Sequence, residues 1–218
     1  MKPFVALLLP LALATSTLAQ PAAPEYSGHD HAPAKIPATD ESAVDYMWRK
    51  ADEAFHEGDY ERAIGLNKGI VALAPDEVES YGNAAWLLWS LGRGEEAIAL
   101  IERGVRANPQ NWEMWREAAQ HYGLQKKEDK ARDAYQKAVQ FAPPGADTQM
   151  LRRALAHAAE ASGDLGLALS TWRQLVKEFP DEAVNRNNLA RVEKLAGGSK
   201  TMRTSALPLF RSLLQLVF

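Results

Sequence analysis

Cysteine is absent from all 218 residues. The chain therefore has no disulfide, no thiol nucleophile, no Cys-based zinc or iron–sulfur site and no lipid-modified Cys at a signal cleavage point. Basic blocks are missing too. The 25 Lys and Arg stand against 28 Asp and Glu for a formal charge of -3, and this field gives no reason to expect nucleic acid as a partner. There is no Gly-rich phosphate loop, no Ser in a nucleophile turn and no HExxH pair, so the common enzyme signatures are excluded. Apolar runs are scarce. The run FVALLLPLALA after Lys2 is too short for a comfortable membrane span.

What remains is an ordinary soluble composition, 46% hydrophobic, 24% charged and 8% aromatic, with room for one or two domains. The opening run carries Lys2, an apolar stretch interrupted by Pro10, and small residues at Thr17 and Ala19. This pattern predicts a secretory signal peptide over 1–19, cut after Ala19, with an uncleaved anchor as the alternative. Losing Lys2 takes the formal charge to about -4. Export without cysteine suggests the periplasm of a Gram-negative bacterium, or release from the cell. Residues 20–42 hold several prolines and almost no aliphatic bulk, which predicts a flexible linker. Within it His29, Asp30 and His31 offer two imidazoles and a carboxylate, a weak candidate for Cu(II), Ni(II) or Zn(II). A tight site would need further ligands that the segment lacks.

The best-formed stretch runs from Trp112 to Pro143. Trp115, Ala118, Ala119 and Tyr122 fall on one helical face, and Ala131, Tyr135 and Ala138 on another. Pro143 closes the second helix. Ala119 and Ala131 stand where the helices would cross, and their single methyl groups allow the axes to approach to roughly 8–9 Å. These residues resemble the tetratricopeptide repeat, a 34-residue helical hairpin with Trp, Leu-Gly and Tyr on its first helix and Ala, Phe and Pro on its second.

The frame extends in both directions. Pro75, Pro109 and Pro143 are spaced by 34 residues and Pro180 follows after 37, while Ala63, Ala97, Ala131 and Ala168 keep the same intervals. Four copies are expected, at 44–77, 78–111, 112–145 and 149–182, within a repeat domain over 43–198. The segment from Pro143 to Asp147 absorbs the extra residues. Asn67 takes a bulky aromatic's place in the first copy, predicting looser packing of its second helix. Arg152 takes the Trp position in the fourth, so that copy's first helix departs furthest from the pattern. Asp76-Glu77 and Asp181-Glu182 precede helix starts, where the macrodipole favours acids. Asn187 to Leu195 fits the first helix of a fifth copy, stopped by Gly197-Gly198. In the tail, 199–218, Phe210, Leu213, Leu214 and Val217 share a face, either to cap the array or to contact a partner or membrane.

The resemblance implies an all-α, right-handed superhelical solenoid whose inner groove is lined by first-helix residues and binds peptides or proteins. Carried to this sequence, the groove positions are Asp45, Trp48, Asp52 and Phe55; Glu79, Gly82, Trp86 and Trp89; Glu113, Arg116, Gln120 and Gly123; Met150, Arg153, His157 and Glu160; then Asn187, Arg191 and Lys194. The candidate partner-binding set is Trp48, Phe55, Trp86, Trp89, Arg116, Arg153, His157, Asn187 and Arg191, with an apolar ligand part expected on the aromatics and an acidic part near the arginines. Local packing of the tryptophans and pairing of the arginines with nearby acids is the alternative. A subset of the family grips C-terminal carboxylates through Lys and Asn; here Trp48 and Asp52 occupy the first two of those places, which argues against that mode. His56, His121 and His157 stand singly, and His157 beside Glu160 reads as a surface contact. The expectation is a non-catalytic scaffold or adaptor of the bacterial envelope, without a cofactor. Metal delivery through His29 to His31 is the alternative.

Overall fold

Ser42 accepts a hydrogen bond from the Asp45 amide at 3.1 Å and so starts the first helix. Asp59, Asn111, Asp147 and Asp164 cap later helices in the same way. The computed structural model describes residues 41–197, and within them the chain is a succession of helices: α1 Ala43–His56, α2 Tyr60–Leu73, α3 Val78–Ser90, α4 Gly94–Ala107, α5 Trp112–Leu124, α6 Glu128–Phe141, α7 Thr148–Ala161 and α8 Leu165–Glu178. A ninth, α9, covers 183–197. No strand occurs among the described residues. The signal-like segment, the linker with His29, Asp30 and His31, and the apolar tail lie outside them.

Consecutive helices pack on one another from α1 to α8, and α3 also touches α5. That neighbour-only pattern is what a repeat array requires, since each hairpin buries its apolar face on the next. The alanine pairs at the crossings are buried in all four copies: Ala51 with Ala63, Ala85 with Ala97, Ala119 with Ala131, and Ala156 with Ala168. Each hairpin reverses through a left-handed residue at the same place in the frame: Gly58 (φ 78°), Gly92 (φ 78°), Lys126 (φ 56°) and Gly163 (φ 80°). The third copy, best in pattern, thus carries a side chain where the others use glycine.

Two apolar clusters form. The larger runs from Ala54 to Ala134 and encloses Tyr81, Leu88, Ile101 and Met114; the smaller gathers Ala156, Ala159, Ala168, Leu175 and Val192 around Trp172. Gly104 faces the tightest part of the larger one, where an added Cβ would lie 2.6 Å from Met114 Sδ and 3.0 Å from Tyr81 Cδ1.

Two irregular positions find their partners only in the fold. With Arg152 at the Trp position, α7 forms over Thr148–Ala161. The Arg152 guanidinium reaches Glu178 Oε2 at 2.7 Å and its Nε donates to the Thr148 carbonyl at 3.1 Å, so charge joins α7 to α8 at a position where Trp115 instead donates to the Pro109 carbonyl. Asn67 is enclosed, 3% exposed, and its Nδ2 donates back to the Ala63 carbonyl at 2.9 Å. Beside it Ile64, Ile70 and Val71 are fully packed.

Candidate peptide-binding face

The first helix of each hairpin contributes one residue every three or four to a common face. On α1, Trp48 is half-buried and Phe55 is 43% exposed, its ring 5.7 Å from that of His56 and 5.9 Å from that of Tyr60. On α3, Trp86 and Trp89 are half-buried and pack against the larger cluster. They therefore serve the core and still present ring surface. Trp89 lines an open hollow of about 350 Å³ with Gly92, Gly94, Glu95 and Gln125.

At the crossing of α3 and α5 the face becomes charged. Arg116 donates to its neighbour Glu117 at 2.8 Å and lies 5.8 Å over the Trp112 ring. The Glu117 carboxylate rests against Gly82, where a Cβ would come 2.7 Å from Oε2. Burial raises the Glu117 carboxyl above its ordinary range, Arg116 opposes that, and the like charges of Glu113 and Glu79 add to it. His121 on the same helix is 3% exposed. Its pKa falls to about 4 because burial disfavours the charged ring, against a smaller opposite pull from a hydrogen bond with the Gly82 backbone.

Further along, the arginines expected to form an open basic half are each engaged within the chain. Arg153 Nε donates to Asn185 Oδ1 at 2.8 Å and Nη2 to Glu182 Oε2 at 3.0 Å, linking α7 to the start of α9. Arg191 pairs with Glu160 at 2.5 Å and donates to Asn188 at 3.0 Å. Glu160 also accepts the Trp172 indole N–H at 2.9 Å and stands 3.6 Å from His157 Nδ1. Burial pushes the Glu160 carboxyl up, but the bonds from Arg191 and Trp172 outweigh it and hold it below the usual carboxylate range. His157 stacks edge-on to Trp172 at 5.0 Å, and Asn187 is exposed.

The structure thus draws Arg153, His157 and Arg191 into one region around Glu160 and α9, with Trp48, Phe55, Trp86 and Trp89 on the first two hairpins. Sequence reading passed over Glu117 as a buried acid and over the enclosure of His121. The one available signal was Gly82, a side chain withheld beside a helix that brings a carboxylate. Among the described residues no group of three or more His, Asp or Glu is placed to hold a metal ion, and no helix is long and apolar enough to cross a membrane.

The family model described as Tetratricopeptide repeat matches residues 83–146. No curated protein matches the sequence. Among solved structures, the Naa15/Naa10 complex bound to HypK-THB is similar at TM-score 0.56 and 21% identity; the match covers 73% of this chain and 24% of that one. A thermophilic TPR protein of Thermus thermophilus is similar at TM-score 0.50 and 21% identity, covering 68% of this chain and 80% of that one. YrrB, described as a TPR protein with an unusual peptide-binding site, is similar at TM-score 0.55 and 18% identity, covering 72% and 78%. Residues 83–146 thus match the tetratricopeptide repeat model, and the described array is an all-helical repeat fold similar to these structures.

Proposed function

We propose that this chain is a non-catalytic scaffold of the bacterial cell envelope that holds a peptide or protein partner on the first-helix face of its array. The observation that carries the reading is the run of Trp48, Phe55, Trp86 and Trp89, all left with ring surface to solvent on α1 and α3. Aromatic area at a rigid face is what anchors interfaces, and helical arrays of this kind supply such faces by stacking. YrrB, of similar fold, is described by its peptide-binding site. The envelope location rests on the signal-like pattern ending at Ala19.

Photo-crosslinkers placed at Gln120, on the first-helix face, and at exposed Gln136 and Ser170, on second helices, test the surface in intact cells. A discrete adduct from Gln120 alone is expected. Adducts only from the second helices overturn the assignment of the face. For the location, the mature protein should begin at Gln20 and leave with the periplasmic fraction. An intact Met1 in the cytosolic fraction refutes it.

A further inference from the structure

We infer that the partner segment for the aromatic half of this face is cationic and apolar, bearing Lys or Arg beside aliphatic or aromatic side chains. The inference rests on the first-helix face being the binding surface, and it reverses the acidic ligand that the arginine positions first suggested.

Arg116, Arg153 and Arg191 are each within 3.0 Å of an acid of this chain, Glu117, Glu182 and Glu160 respectively. Each of these guanidiniums already has a carboxylate of this chain beside it, so the net positive charge left for an acidic ligand is small. On α1 and at the start of α5 the opposite holds. Asp45, Asp52 and Glu113 are exposed and form no ion pair with Lys or Arg among the described residues. Asp45 accepts the Ser42 hydroxyl at 2.7 Å, and Asp52 lies 3.5 Å from His56.

These acids share helical faces with the aromatics: Asp45 and Asp52 alternate with Trp48 and Phe55, and Glu113 lies one turn before Arg116. At the crossing of α3 and α5, Glu79 and Glu113 both act on the Glu117 carboxyl, which Arg116 alone offsets. A face that is negative and bears indole rings suits a cation with an apolar neighbour. The charge gains from both the carboxylates and the ring quadrupoles, and the apolar group covers ring area. Lys194, which forms no ion pair among the described residues, stands on α9 at the far end of the described array.

A random 12-residue peptide library selected on the full chain decides this. Enrichment of Lys and Arg together with apolar residues is expected. The best selected peptide should lose about tenfold in affinity between low and half-molar salt, because exposed charges are screened. In the variant Asp45→Asn, Asp52→Asn, Glu113→Gln, the apolar preference should persist while affinity for that peptide falls about tenfold, with helicity by circular dichroism as the folding control. Enrichment of Asp and Glu overturns the cationic assignment and leaves the binding face standing. Undiminished affinity in the triple variant overturns it as well. A library that yields no enrichment, or peptides whose binding survives Trp48→Ser with Phe55→Ser in a helical protein, overturns the binding face itself.

Discussion

The larger apolar cluster and the smaller one solve the same packing problem with different chemistry. Between Ala54 and Ala134 the hairpins are joined mainly by volume, with Tyr81, Leu88, Ile101 and Met114 fully enclosed, and ion pairs such as Arg93–Glu61, Lys127–Glu95 and Lys130–Glu102 are added at the surface. From α7 onward the shared positions turn polar. Trp172 is the large ring of the smaller cluster, and Arg152, Arg153 and Arg191 tie its helices together through Glu178, Glu182 and Glu160. A 34-residue frame thus fixes where helices cross and leaves open whether the seam is oil or salt. The salt version is the more sensitive to conditions, because partly exposed pairs gain little in water and are screened.

The strongest way to break the comparison is Trp172→Ala. The ring is fully buried and its N–H is bonded to Glu160, so the variant should lose about 3–5 kcal/mol. Hydrogen exchange should then show α7 to α9 opening while α3 to α6 keep their protection, as nearest-neighbour stability predicts. Equal loss along the array would mean that the two clusters unfold as one.

Acid should strike the other side first. His121 belongs to the larger region, and its folded pKa of about 4 lies below the value near 6.5 of an unfolded chain. The unfolded state therefore takes up a proton first as pH falls, and stability drops between about pH 6.5 and 4 by on the order of 3 kcal/mol. Glu160, whose folded pKa is lowered, keeps its contribution through most of that window, begins to lose it as pH enters the usual carboxylate range, and goes on losing it below. Urea midpoints at pH 7 and pH 4.5 check this, and His121→Gln should flatten the difference.

Gly104→Val probes how tightly the larger region is packed. Valine and glycine differ little in helix preference, so the collision with Met114 and Tyr81 decides, and a loss of about 2 kcal/mol is expected from thermal unfolding. The smallest effect belongs to Lys126→Gly. A left-handed residue with a side chain is strained, while glycine adds freedom to the unfolded chain. The balance should be a gain of about 0.5 kcal/mol, and a loss would show that Lys126 is held there by more than its turn.

The sequence made the frame legible because a helical crossing tolerates few residue types. Four prolines and four pairs of alanines in step are enough to place every hairpin. The contacts of Asn67 and Arg152 were not legible for one reason: spacing along the chain does not show which groups the fold brings beside them. Asn67 turns its amide onto its own helix, and Arg152 finds Glu178 on the next one. The face was legible as a set of positions, and its charge was not. Whether Arg153 meets solvent or Glu182 depends on residues 29 positions away and on which rotamer reaches them, and spacing along the chain carries neither.

The missing side chain at Gly82 is a socket for the Glu117 carboxylate, and that couples the two positions sterically. Alanine at 82 would bring its Cβ to 2.7 Å from the Glu117 carboxylate and make its tip shift, and loss of the acid at 117 would empty the socket. Among descendants of this sequence the two columns should change as a pair, with Gly82 kept for as long as an acid occupies 117. Their joint substitution would mark the lineages in which Arg116 was released from Glu117, and with it the charge that this face presents.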